Sequence, residues 1–188
     1  QPTHYYVVDE EAVKESIARA CFNQPLVKLA PAIIIFSADR FCARDQEVHL
    51  QAELEENTIT VDEAEKARRA LELHFDISPL GLSWLGKLVG GPILRLFTSM
   101  PQLPAIHKRE FLTRQVMRSV MTCYWAAQSH GLASKILDTY DEWRIKRALN
   151  IPWHQIVVSV MLVGYAQEQG KVPAPVDLDE VVHWNKTS

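Results

Sequence analysis

Ala32-Ile33-Ile34-Ile35-Phe36 and the later run Ile156-Val157-Val158-Ser159-Val160-Met161-Leu162-Val163 decide the fold class. A strand with one wet face alternates apolar and polar residues. An unbroken, β-branched run of this length suits a strand buried on both faces of a sheet. Outward from these, His4-Tyr5-Tyr6-Val7-Val8 reads as a further strand. Val13, Ile17, Ala20 and Cys21 recur at helical spacing. Asp9 is the expected N-cap of that helix, Glu10 and Glu11 suit its first turn, and Asn23-Gln24-Pro25 is expected to end it. Thr60 with Glu63 predicts a capping box and a helix to about Phe75. Leu112, Val116, Val120, Cys123 and Ala127 form one stripe of a long helix from about Lys108 to His130, and Gly131 suits its C-terminus. Thr139-Tyr140-Asp141-Glu142 predicts a second capping box with Thr139 as N-cap, and Arg144, Lys146 and Arg147 come late in its helix. Residues 37–59 are charged and mixed and receive no firm assignment. The order strand, helix, strand, several helices, strand, tail describes an α+β layered domain with few strands and many helices.

The chain has 188 residues and a mass of 21.4 kDa, which suits one domain or one domain with an arm. With 47% hydrophobic and 23% charged residues it has the ordinary globular balance, so bulk disorder is excluded. A net charge of −3 and a pI near 6.2 argue against a basic nucleic-acid face and against attraction to an anionic membrane. No stretch of about 18 uncharged apolar residues suggests a bilayer span. Cys21, Cys42 and Cys123 are odd in number and widely spaced. They read as free thiols in a reducing compartment, with neither a disulfide framework nor a zinc site. No signal-peptide pattern opens the chain, so the expected location is cytoplasmic. It begins with Gln1-Pro2 and not with Met, which reads as processing or as a fragment lacking its first segment.

Local catalytic motifs are missing. There is no P-loop, no G-x-G-x-x-G, no H-E-x-x-H and no nucleophile elbow around Gly81-Leu82-Ser83-Trp84-Leu85. No metal site is expected. A side-chain nucleophile does not announce itself, so an enzyme built on this chain would rely on a cofactor for its chemistry.

Four places then resemble the nitroreductase family, the FMN-dependent NAD(P)H oxidoreductases. Gln1-Pro2 before a strand resembles the end of the family's Asn-x-Gln-Pro segment. Phe22-Asn23-Gln24 with Ala30-Pro31-Ala32-Ile33-Ile34-Ile35 resembles its helix end and second strand. Gly131-Leu132-Ala133-Ser134, Asp138-Thr139-Tyr140-Asp141 and Leu149-Asn150-Ile151-Pro152 resemble its Gly-Leu-x-Ser segment, flavin loop and following helix. Val157 through Gly164-Tyr165, and Asp179-Glu180-Val181-Val182-His183-Trp184, resemble its last core strand and C-terminal arm.

The resemblance implies a small central mixed or antiparallel sheet flanked by helices, and a homodimer that exchanges C-terminal arms with FMN at the subunit interface. It implies ping-pong transfer of electrons from NAD(P)H to a small aromatic acceptor, a nitroaromatic or quinone. The alternative is a non-catalytic flavin-binding or structural member. The implied cofactor-binding residues are Gln1, Asn23, Gln24, Asp138, Thr139 and Lys171. The Asn23 amide would pair with the flavin's uracil-like edge, and the Thr139 backbone N–H would face flavin N5. No side chain is implied as catalytic. The family's basic N-terminal segment would precede Gln1, the family usually has Gly where Thr139 stands, and Lys171 is the remaining cation for a phosphate. Residues 1–170 are read as the domain and 171–188 as the exchanged arm. The apolar stretch 77–106 is read as a lid or interface insertion; Trp84 and Phe97 are its candidates to contact an aromatic substrate, with core packing the favoured role for each.

Overall fold

The computed structural model describes residues 3–74 and 108–166, apart from the side chains of 43–45 and 72–74. The lid reading of 77–106, the arm 171–188, Gln1 and Lys171 therefore lie outside the described residues. Four strands form one antiparallel sheet: β1 (Thr3–Val8), β2 (Ala32–Asp39), β3 (Ala133–Leu137) and β4 (Gln155–Gly164). Their spatial order is β1-β2-β4-β3, so the two continuous apolar runs are the two central strands. All three pairings are antiparallel, which resolves the mixed-or-antiparallel expectation.

Six helices lie among the described residues: α1 (Glu11–Ala20), α2 (Pro25–Leu29), α3 (Cys42–Glu55), α4 (Val61–His74), α5 (Lys108–Ser129) and α6 (Glu142–Leu149). The sheet separates two apolar clusters. Ile33, Ile35, Val157, Val160 and Leu162 face Ile17 and Ala18 of α1, its C-cap Cys21, Val27 of α2 and Ile145 of α6. Phe36, Ala38, Ile156 and Met161 face Leu112, Val116 and Val120 of α5 and Cys42 of α3. Helices on both faces are why neither central strand alternates.

Phe36 pairs with Ser159 and Ser37 with Val157, so Val158 is the extra residue of a β-bulge in β4. Beside it the buried Gln155 Oε1 accepts hydrogen bonds from Tyr6 Oη at 2.7 Å and Ser37 Oγ at 2.8 Å. One amide thus ties the three strands β1, β2 and β4. The capping box at Thr60 forms as predicted: the Thr60 N–H donates to Glu63 Oε2 at 2.9 Å and the Glu63 N–H to Thr60 Oγ1 at 3.3 Å. Gly131, at φ 71, ends α5, and the next N–H, that of Leu132, donates back to Ala127 O at 2.9 Å.

Two predicted caps are corrected. The N-cap of α1 is Glu10, not Asp9, and makes no side-chain cap bond. Strand β1 runs to Val8 and the chain turns through Asp9 before the helix can begin, so Glu11 meets the helix dipole instead. The N-cap of α6 is Asp141, not Thr139: its Oδ1 accepts from the Arg144 N–H at 3.1 Å. The chain stays extended two residues longer because Tyr140 and Glu142 are bonded to β4, as described below.

Candidate functional site

The C-terminus of α1 and the N-terminus of α6 meet at one end of the helical layer. The Asp141 N–H donates to Ala20 O at 2.8 Å, joining the two helix ends by backbone. Cys21 caps α1, and Pro25, which lacks an N–H, begins a new helix. Between them the chain turns through two successive left-handed residues, Phe22 at φ 56 and Asn23 at φ 54. The Asn23 N–H donates to Ala18 O at 2.8 Å, which closes the turn. Asn tolerates this region; Phe is a genuine outlier there and costs on the order of 1 kcal/mol. Phe22 is 65% exposed, so burial of its ring does not offset that cost within the chain. Local backbone strain of this kind gathers where a ligand is held.

Opposite stands the loop from β3 to α6. Asp138 and Thr139 are exposed. Among the described residues the Thr139 N–H has no hydrogen-bond partner. The Thr139 carbonyl accepts a long contact from Gln24 Nε2 at 3.5 Å. Arg19, Ala20, Phe22, Asn23, Asp141 and Arg144 line an open depression of about 360 Å³ between these parts. Of the sequence-predicted residues, Asn23 lines the depression, Gln24 reaches Thr139 across it, and Asp138 is the exposed neighbour of Thr139 in the chain. Sequence reasoning missed Phe22 as a candidate. Its positive φ, its exposed ring and its place in the lining set it apart, and none of these is written in the sequence.

Side chains fix the loop from behind. Glu142 Oε1 accepts from the Val157 N–H at 3.1 Å, and Tyr140 Oη donates to Val157 O at 3.3 Å. Glu142 also pairs with Lys146 at 3.0 Å and Arg109 at 2.9 Å. Burial by itself would raise the Glu142 carboxyl. Hydrogen bonds from Lys146 and the Val157 N–H, together with the Lys146 charge and the Arg109 hydrogen bond, outweigh it and hold the group below the ordinary value. Burial, and then the Glu142 charge, push the Tyr140 hydroxyl up to about 12, so it stays protonated as a donor. The neighbouring Cys21 thiol is pushed up to about 11 by burial, which leaves it a core side chain and not a nucleophile. No cluster of metal ligands occurs among the described residues. No helix among them is long and apolar enough to cross a membrane.

The model of the nitroreductase family matches residues 1–165. The chain belongs to the nitroreductase family. Membership makes it an oxidoreductase. It is 22% identical over 184 residues to an NADH dehydrogenase of Thermus thermophilus, covering 98% of this chain and 76% of that one. Among solved structures, a nitroreductase-type protein of Bacillus subtilis superposes with a TM-score of 0.75 at 17% identity, covering 98% of this chain and 78% of that one. A nitroreductase-type protein of Exiguobacterium sibiricum in complex with FMN gives a TM-score of 0.67 at 17% identity, covering 97% of this chain and 76% of that one. At such identities these likenesses speak to the nitroreductase fold alone, so the site residues of this member rest on their own geometry.

Proposed function

We propose that this nitroreductase binds FMN between Phe22-Asn23-Gln24 and Asp138-Thr139, and passes electrons from NAD(P)H to a small aromatic acceptor such as a nitroaromatic or quinone. The observation that carries the reading is the exposed Thr139 N–H, without a partner among the described residues, on the loop whose Asp141 lines one depression with Asn23. An amide offers both a donor and an acceptor, which matches the uracil-like edge of the flavin ring. A fixed N–H supplies a donor without reorganisation. The described residues thus fit the ring. Lys171 is the proposed partner of the phosphate.

When bound, FMN would supply the two-electron transfer chemistry between a reduced nicotinamide and the acceptor. The residues around it bind and orient. Asn23 would set the angle of the ring, the Thr139 N–H would serve its N5, and Phe22 would cover apolar ring surface. Donor and acceptor share one exposed face in turn, so the kinetics are ping-pong. The protein acts as a homodimer, with residues 1–170 as the domain and 171–188 as an arm packed on the partner subunit, in the cytoplasm. The supports for this are the family membership and the exposed apolar side chains beside the site.

Thr139→Pro tests the reading, because it deletes the N–H and leaves the carbonyl. The variant, loaded with FMN, should reduce its flavin more slowly than wild type in stopped flow. Reduction at the wild-type rate would remove the N5 contact, and failure of the wild-type chain to take up FMN would remove the site.

A further inference from the structure

Strand β3 stops pairing with β4 at Leu137, opposite Val160, while β4 continues back to Gln155. Among the described residues that leaves an open edge on β4 beside the bulge. The chain covers the edge with side chains in place of a ladder: Tyr140 Oη donates to the Val157 carbonyl, and Glu142 Oε1 accepts from the Val157 N–H. Both polar groups of one strand residue are thereby satisfied by two residues of the α6 entrance. On its other side the same entrance is bonded through Asp141 to Ala20, at the end of α1.

We propose that Tyr140 and Glu142 are positioning residues that set the Thr139 N–H against Asn23 by clamping the loop to the open edge of β4. This rests on the flavin reading above. Thr139 lies between Leu137, held by the ladder, and Tyr140 and Asp141, held by the clamp and by α1. A stretch this short, pinned at both ends, retains little backbone freedom. The cost of misplacing a reacting contact by an ångström is large compared with the hydrogen bonds that prevent it. Arg109 and Lys146 are paired with Glu142 and keep it charged. The edge bond itself needs only an oxygen acceptor at that position.

Three variants separate these roles. Tyr140→Phe removes one hydroxyl. Glu142→Ala removes the acceptor, and Glu142→Gln retains it without charge. In FMN-loaded protein at saturating NADPH, Tyr140→Phe and Glu142→Ala should reduce the flavin about 2- to 10-fold more slowly, the range of a single lost hydrogen bond. Their flavin midpoint potential should move from the wild-type value, and Glu142→Gln should restore both. In the FMN-free protein, Tyr140→Phe should speed hydrogen exchange of the Asp141 amide. Ile145→Val loosens the packing of α6 without touching the edge, and should leave rate and potential alone. The proposal is overturned if Tyr140→Phe keeps the wild-type rate, potential and exchange, or if Ile145→Val moves the rate and potential equally. Should Glu142→Ala not fold, Tyr140→Phe decides. A slow Thr139→Pro with an unaffected Tyr140→Phe would sink this inference and leave the flavin site standing; a wild-type rate in Thr139→Pro would remove the N5 contact and this inference with it, while failure of the wild-type chain to take up FMN would remove the site.

Discussion

Phe22 and Asn23 stand side by side in the left-handed region, and glycine would occupy either position with less strain. That makes glycine a probe of what each side chain adds. Asn23→Gly keeps the turn and removes only the amide. FMN affinity should fall by about 1–2 kcal/mol, roughly 5- to 30-fold, with the urea midpoint unchanged within error. Phe22→Gly relieves a residue that pays for its conformation with no buried ring. Its urea midpoint should hold or rise, by up to about 1 kcal/mol, while FMN binding weakens. A lower midpoint with undiminished FMN affinity would mean that Phe22 serves packing alone. Asn23, Gln24, Asp138 and Thr139 were legible in the sequence only through a family pattern, because the chain separation between them hides their proximity. Phe22 was not legible: positive φ at a bulky residue leaves no trace in composition or periodicity.

The entrance of α6 carries the element-scale tests. Its cap bond belongs to Asp141, so Asp141→Ala should cost about 1 kcal/mol of stability and Thr139→Ala close to nothing, read from urea midpoints. Equal losses would return the cap to Thr139. The depressed carboxyl of Glu142 adds a pH dependence. A group whose folded value lies below its unfolded one contributes stability above the unfolded value, near 4.3, and loses it as pH falls through the folded value. The stability of wild type should therefore drop more steeply below about pH 4 than that of Glu142→Gln. Parallel profiles would deny Glu142 that role. The same scale shows what sequence patterns carry. Strands β2 and β4 were readable because burial on both faces forbids alternation, and α5 because its buried stripe recurs at the helical period. Strand β3, Ala133-Ser134-Lys135-Ile136-Leu137, is short and carries Ser134 and Lys135 side by side, and its pairing with β4 supplies what its own residues do not signal. Helix α3 spreads charge around its circumference, so no stripe marks it. Helix α2 was hidden by Pro25, which reads as a stop yet serves as the first residue of a new helix.

At the scale of the whole molecule, apolar side chains remain outside both cores. Met121 and Trp125 lie one turn apart on the outer side of α5, and Trp125 is 65% exposed. Residues four apart on a helix are neighbours, so these two make a patch and not two isolated contacts. Phe22 adds a third exposed apolar side chain, beside the candidate site. The proposed homodimer gives such surface a partner, and sedimentation at micromolar concentration should report twice the 21.4 kDa of one chain. Replacing Trp125 by Arg would place a charge in that contact and should shift the protein toward monomer. A flavin held where two subunits meet carries a further consequence. A ligand that binds the dimer and not the monomer stabilises the dimer, and by the same linkage its own apparent affinity falls as the protein is diluted. FMN titrations at roughly 0.1 and 10 μM protein should therefore give different dissociation constants, weaker at the lower concentration, and Trp125→Arg should show the weaker value at both. A wild-type chain that sediments as a monomer yet binds FMN equally well at both concentrations would place the whole site within one subunit. The exchanged arm would then have no part in it.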